Sequence, residues 1–110
     1  DMAHTADGDD WGASWAANFG LAETLDWDPV PIDEPHLETR IRGVQGTFWG
    51  EFTTDDSQMQ PMVAPRILGI ATKAWSSREF RDVEMLRALA KQYQSFFKAI
   101  GWPLAAAELW

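Results

Sequence analysis

Apolar residues recur at two different periods along this chain, and each period predicts a different element. From Glu79 to Ile100 the spacing is helical: Phe80, Val83, Leu86, Leu89 with Ala90, Tyr93, Phe96 with Phe97, and Ile100. It predicts one amphipathic helix over 79–101, about six turns at 3.6 residues per turn. Gly101 is placed to end it as the C′ residue, and Pro103 bars its continuation. Val63, Ile67, Ile70, Ala71 and Ala74 predict a second helix over 62–76, with Pro65 in the first turn, where proline is tolerated. Ser76 and Ser77 supply the break and the next cap.

Residues 41–52, Ile-Arg-Gly-Val-Gln-Gly-Thr-Phe-Trp-Gly-Glu-Phe, alternate instead. The two-residue period of a strand sends Val44, Gly46, Phe48, Gly50 and Phe52 to one face, and Gln45, Thr47, Trp49 and Glu51 to the other. The first face suits packing beneath a helix, which the two glycines let approach closely. The second is polar and aromatic, as expected of a strand half exposed to solvent or lining a cavity. A lone strand leaves its backbone donors and acceptors unpaired, so the pattern implies partner strands outside these residues.

The remainder is less regular. Residues 1–10 read as loop, with a turn cluster at Asp7-Gly8-Asp9-Asp10. Leu21, Ala22 and Leu25 fit a short helix after Gly20 that Asp28-Pro29 stops, and the prolines between 29 and 35 predict extended connection. No internal repeat or low-complexity tract is present.

Composition narrows the function. The chain has 110 residues, 45% of them apolar, so it is no disordered tail. Seven Trp and six Phe against one Tyr exceed what a small core uses, and large planar side chains have few other uses than interfaces and sugar or base stacking. A net charge of -8 repels phosphate backbones and offers anionic lipids no basic patch, so neither nucleic acid nor a membrane is an expected partner. There is no cysteine, hence no disulfide or thiolate chemistry, and no compartment is implied. No apolar run reaches the ~20 residues of a membrane span. The opening Asp1-Met2-Ala3-His4 lacks a signal pattern and reads as a truncation or the start of a cleaved fragment.

Few residues bear chemistry. Trp49 offers a plane on which a pyranose can pack, and Glu51, two positions on, can accept hydrogen bonds from hydroxyls. The alternative is a core Trp beside a solvated Glu. Asp1, Asp7, Asp9 and Asp10 lack calcium-loop spacing and read as a solvated acidic loop, while His4 and His36 stand apart from any metal-ligand or nucleophile pattern. No metal or cofactor is expected. Trp11, Trp15 and Trp27 form either a binding platform or ordinary packing, with Trp27 a candidate loop anchor. Trp75 reads as core; Trp102 and Trp110 read as caps on the last helix. No phosphate loop, nucleophile elbow or spaced carboxylate pair is present.

Gly43-Val44-Gln45-Gly46-Thr47-Phe48-Trp49-Gly50-Glu51-Phe52 resembles the last barrel strand of glycoside hydrolase family 20, which runs Gly-x-Gln-(Gly/Ala)-x-(Leu/Phe)-Trp-x-Glu-(Tyr/Phe). Pro65-Arg66-Ile67-Leu68 through Lys73-Ala74-Trp75-Ser76 is similar to that family's last barrel helix, and residues 77–101 to its C-terminal helix. Asp1-Met2 resembles the tail of a Tyr-Leu-Asp element on the seventh strand, and Asp26-Trp27-Asp28-Pro29 the loop before the eighth.

The resemblance implies an α/β fold, the C-terminal part of a (β/α)8 barrel that is predominantly helical as an isolated chain. Residues 1–40 would hold the end of strand 7 with its loop and helix, 41–52 strand 8, 62–76 helix 8 and 79–101 an extra helix. It implies a β-N-acetylhexosaminidase that removes terminal N-acetylglucosamine or N-acetylgalactosamine, as in chitobiose degradation, with retention. The substrate's acetamido oxygen is the nucleophile, and an Asp-Glu pair orients it and supplies the acid. Trp49 would wall the sugar pocket, and Glu51 and Asp1 would hydrogen-bond its hydroxyls. The Asp-Glu pair belongs to the fourth strand, upstream, and the Tyr before Asp1 is missing. Lys73 replaces a common Glu on what the pattern makes an outer surface. A barrel needs roughly 250 residues, so the chain alone is expected to be inactive, to need the rest of the barrel and to self-associate. A non-catalytic carbohydrate-binding or interaction module, or a structural helical domain, are the rival readings.

Overall fold

The computed structural model describes residues 19–105. In order these form a 3-10 turn (Ala22–Thr24), a longer 3-10 segment (Pro35–Arg40), α1 (Asp56–Val63), α2 (Ile67–Trp75), a 3-10 turn (Arg78–Phe80) and α3 (Val83–Ala99). None of these helices is long and apolar enough to cross a membrane. The core lies where the first turn, α2 and α3 meet: Leu21, Leu25, Ala64, Leu68, Leu86, Ala90 and Phe97, flanked by Val83, Leu89, Trp102 and Leu104.

Both long helices are shorter than their apolar patterns. The helix expected over 62–76 is two helices, because Ala64 is extended at φ -97° and ψ 132°. A residue before proline is pushed out of the α region, and Pro65 follows. Upstream, α1 was not evident from periodicity because the first three of its eight residues, Asp56, Ser57 and Gln58, are polar and Pro61 interrupts the rest. Its own signal is the cap: Asp55 accepts from the Ser57 amide at 2.9 Å, and the Gln58 side chain accepts from the Thr54 amide at 2.8 Å. The helix expected over 79–101 likewise begins at Val83, since the extended Asp82 accepts from the Met85 amide at 2.9 Å and so caps α3. That leaves 17 residues, about five turns.

The end of α3 agrees with its sequence. Gly101 adopts φ 78°, its amide bonds Lys98 and the Trp102 amide bonds Phe97, the two bonds of a Schellman close. Trp102 stacks on Phe97 at 6.3 Å, the apolar contact that accompanies this motif.

The strand expected over 41–52 is not formed. Among the described residues there is no strand at all; 41–50 carry no regular structure, and 51–52 form a turn. A strand is defined by neighbours that share its backbone hydrogen bonds, and the described residues supply none. The packing expected of its apolar face is met at one position: a Cβ added at Gly46 would sit 3.4 Å from Ile70 Cγ1, while Gly50 lies near Phe48 and Thr53 and no helix, and Phe48 and Phe52 remain exposed.

Two side-chain placements are also corrected. Trp75, read as core, is 91% exposed, because it is the last residue of α2 and the chain turns away at Ser76. Lys73, read as an outer-surface residue, is only 6% exposed, because the 26–28 corner folds over it.

Candidate functional site

A cleft of about 480 Å³ opens between the first 3-10 turn, residues 44–49 and the α1–α2 junction. Its aromatic walls are Phe19, Trp27, Phe48 and Trp49, with Ile67 and Ile70 on the α2 side and Glu23 and Arg66 its charged members. Three polar side chains, Thr24, Gln45 and Thr47, complete it. An apolar, aromatic-walled space with few polar groups suits binding and orientation; among the described residues its lining holds no acid–base pair.

The expected site residues divide. Trp49 lines the cleft, is 55% exposed, and its Nε1 donates to Thr47 Oγ1 at 3.3 Å. Glu51 is exposed in the turn that follows, where the amide and the hydroxyl of Thr53 both donate to the Gly50 carbonyl at 3.3 Å. The turn takes Glu51 out of the cleft lining, so the expected sharing of one strand face by Trp49 and Glu51 is not realised among these residues. Asp1, with Asp7, Asp9, Asp10, His4, Trp11, Trp15 and Trp110, lies outside the described residues. His36 is exposed within the second 3-10 segment, away from the cleft. The adjacent carboxylates Asp33 and Glu34 are exposed on a turn and also stand outside the lining.

Trp27 is the anchor its loop position suggested. Its Nε1 donates to the Thr24 carbonyl at 2.9 Å, its carbonyl accepts from Lys73 Nζ, and that ammonium lies 5.2 Å from the ring centroid. Next to it, Asp28 pairs with Arg78 at 3.0 Å, and Arg78 reaches Glu38 at 3.4 Å. The Asp28 carboxyl is held below its ordinary value, first by the Val30 amide it accepts from and then by the Arg78 charge. Burial pushes the Lys73 ammonium below the usual lysine range; Arg81 adds to the fall, and Asp28 and Asp26 oppose it.

Arg66 belongs to the Pro65-Arg66 motif, and neither the motif nor the apolar spacing assigned its side chain a role. It is 4% exposed; its Nε donates to the Phe19 carbonyl at 2.7 Å and its Nη1 to the carbonyls of Pro61 and Met62 at 3.0 and 2.9 Å. Burial lowers its guanidinium from the ordinary value against the pull of Glu23. A planar fork that satisfies carbonyls 47 positions away and at the end of α1 fastens the floor of the cleft.

Fold and cleft together define a helical scaffold that presents an aromatic binding wall. The sequence profile described as "Glycosyl hydrolase family 20, catalytic domain" matches residues 1–78, which include the whole cleft lining and α2 and end before α3. The chain is 26% identical over 91 residues to a beta-N-acetylhexosaminidase of Cellulomonas fimi, covering 83% of this chain and 18% of that protein. It is 30% identical over 60 residues to beta-hexosaminidase B of Pseudoalteromonas piscicida, 54% of this chain and 8% of that protein. No solved structure matches it significantly.

The chain belongs to glycosyl hydrolase family 20. It spans less than a fifth of the length of the curated relatives it matches.

Proposed function

We propose that this chain is part of a retaining β-N-acetylhexosaminidase, in which it provides a sugar-binding wall and not the catalytic acid. The observation that carries the reading is that Trp49, the family's expected pocket wall, lines an aromatic cleft inside the stretch matched to the family's catalytic domain. The names of both relatives, a beta-N-acetylhexosaminidase and a beta-hexosaminidase, favour the same substrate class.

In this reading the complete protein is a (β/α)8 barrel, and residues 41–52 become its last strand once neighbouring strands satisfy their backbone groups. Pairing would straighten the turn at Glu51 and return it to the face of Trp49. The terminal β-linked N-acetylglucosamine or N-acetylgalactosamine packs on Trp49, while Glu51 and Asp1 accept from its hydroxyls. The acetamido oxygen attacks the anomeric carbon as the glycosidic bond breaks, and a glutamic acid elsewhere in the barrel protonates the leaving oxygen. Water then opens the oxazolinium with net retention, that glutamate acting as base. The exposed Asp33-Glu34 turn does not suit that role. The partners are thus a terminal-hexosamine glycan, such as chitobiose, and the rest of the barrel. The exposed Trp75, Phe80, Phe96 and Ile100 make the separate chain prone to self-association.

The test is hydrolysis of a chromogenic N-acetylhexosaminide by the complete gene product and by this chain. The complete protein is expected to be active and the chain inactive. Trp49→Ala and Glu51→Gln should each lower kcat/KM by about 10- to 100-fold, the scale of one or two well-oriented contacts. Unchanged N-acetylglucosamine binding in both variants would show the site assignment to be wrong, and an inactive complete protein would remove the hydrolase reading.

A further inference from the structure

Helix α2 turns one face to all the segments that shape the cleft. Arg66, Gly69, Ile70 and Lys73 are spaced i, i+3, i+4 and i+7 and so share one side of the helix. Each supports a different piece of chain. Arg66 holds the Phe19 carbonyl, Gly69 admits Thr24, Ile70 lies against Gly46, and Lys73 holds Trp27. The last two matter most for the walls, because Gly46 leads directly to Trp49, and Trp27 is the other tryptophan among the described residues of the lining.

Lys73 is the unexpected member of that face. A lysine only 6% exposed loses hydration and side-chain freedom that a buried methionine in its place would not. The ion pairs of the described residues join Asp28 to Arg78 and not to Lys73. The ammonium is directed instead to the Trp27 carbonyl and the Trp27 ring face, fixing backbone and ring of one residue together. Its Nε1 is tied in turn to the Thr24 carbonyl, so the indole is held at its N–H as well as over its face.

We propose that Lys73 is a positioning residue: it holds Trp27 against α2 so that Trp27 and Trp49 line one sugar-binding cleft. This rests on the reading of the cleft as a sugar wall, and the test separates the two. The indole N–H resonances of Trp27 and Trp49 in the 110-residue chain are assigned with Trp27→Phe and Trp49→Phe, then followed in Lys73→Met and Lys73→Arg. Lys73→Met should move both resonances and leave those of Trp75 and Trp102 in place, with the helical circular dichroism unchanged. Lys73→Arg, which keeps the cation and a donor, should return both towards their original positions. N-acetylglucosamine affinity should fall about tenfold in the methionine variant and recover to within about twofold in the arginine variant.

Unmoved Trp27 and Trp49 resonances in a folded Lys73→Met chain overturn the proposal, as does an arginine variant no better than the methionine one. If neither the complete gene product nor the unmodified chain responds to N-acetylglucosamine while Lys73→Met still moves both indoles, the sugar reading fails and the link from Lys73 to the two tryptophans stands. Should Lys73→Met not fold, nuclear Overhauser contacts between the Lys73 side chain and the Trp27 ring in the unmodified chain decide the matter, and their absence overturns it.

Discussion

Gly69 is where α2 admits Thr24 of the first turn, and Gly69→Ala tests that packing directly. A Cβ built there falls on Thr24 Oγ1 and lies 2.7 Å from Thr24 Cβ, with Leu86 Cδ2 at 3.4 Å. The near atoms belong to a short side chain on a turn, so the clash cannot be relieved by a distant rotamer. Forcing one methyl into such a contact costs about 1–3 kcal/mol. If Thr24 rotates away it also loses the bond from its hydroxyl to the Leu21 carbonyl, 2.6 Å long, adding about 1 kcal/mol. Against this, alanine gains about 1 kcal/mol over glycine inside a helix. The net expectation is a destabilisation of about 2 kcal/mol, the central value of those terms.

The assay is urea unfolding followed by circular dichroism, on Gly69→Ala, Thr24→Gly and the double variant. Thr24→Gly removes both clashing atoms, so in that background Gly69→Ala should be neutral or stabilising, a coupling of about 2–3 kcal/mol. Gly43→Ala is the control, since nothing lies within 4 Å of a Cβ there. A Gly69→Ala chain as stable as the parent, or equally destabilised with and without Thr24, refutes the close approach.

Further expectations concern the caps, the buried cation and pH. Asp82→Ala should cost about 1 kcal/mol in urea unfolding by freeing the Met85 amide, while Asp82→Asn should be near neutral. Arg66→Met should cost about 2–4 kcal/mol, because the buried carbonyl of Met62 and the partly buried ones of Phe19 and Pro61 lose this donor, and a loss below ~1 kcal/mol would show water replacing it. The Asp55 carboxyl is held below its ordinary value, first by the Ser57 hydroxyl and then by the amides of Ser57 and Gln58. A carboxyl depressed in the folded state adds stability above its unfolded value near 3.9, and loses it as pH falls through the lower folded value. Asp55→Asn keeps the cap acceptor and removes this titration, so acid unfolding of the variant should show a shallower limb below about pH 4.

What was legible in the chain was local. Helical spacing placed α2 and α3, Gly101 and Trp102 marked the close of α3, and the order of the Trp-x-Glu and Pro-Arg motifs pointed to a family that the profile match then showed. The helix starts were misplaced because apolar period does not register a cap. At Asp82 and Asp55 a carboxylate bound to a backbone amide decides where the helix begins, and at Ala64 the following proline does.

Burial and pairing depend on what lies far away in the chain, and the sequence by itself is silent on both. Its periods determined which residues share a face; they did not determine which faces find a neighbour. Trp75 follows Leu68 at helical spacing, yet it stands in solvent because the chain leaves α2 at that residue. Lys73 reads as a surface lysine, yet it is buried because a loop 46 positions earlier folds over it. Residues 41–52 have a strand's alternation but no ladder among the described residues, so Trp49 reaches the cleft and Glu51 turns out of it. The amino-acid pattern set local geometry through backbone and side-chain preference, while tertiary structure decided the solvation of Lys73 and Trp75 and the pairing of residues 41–52, because a buried lysine or a strand needs neighbours that come from elsewhere in the fold.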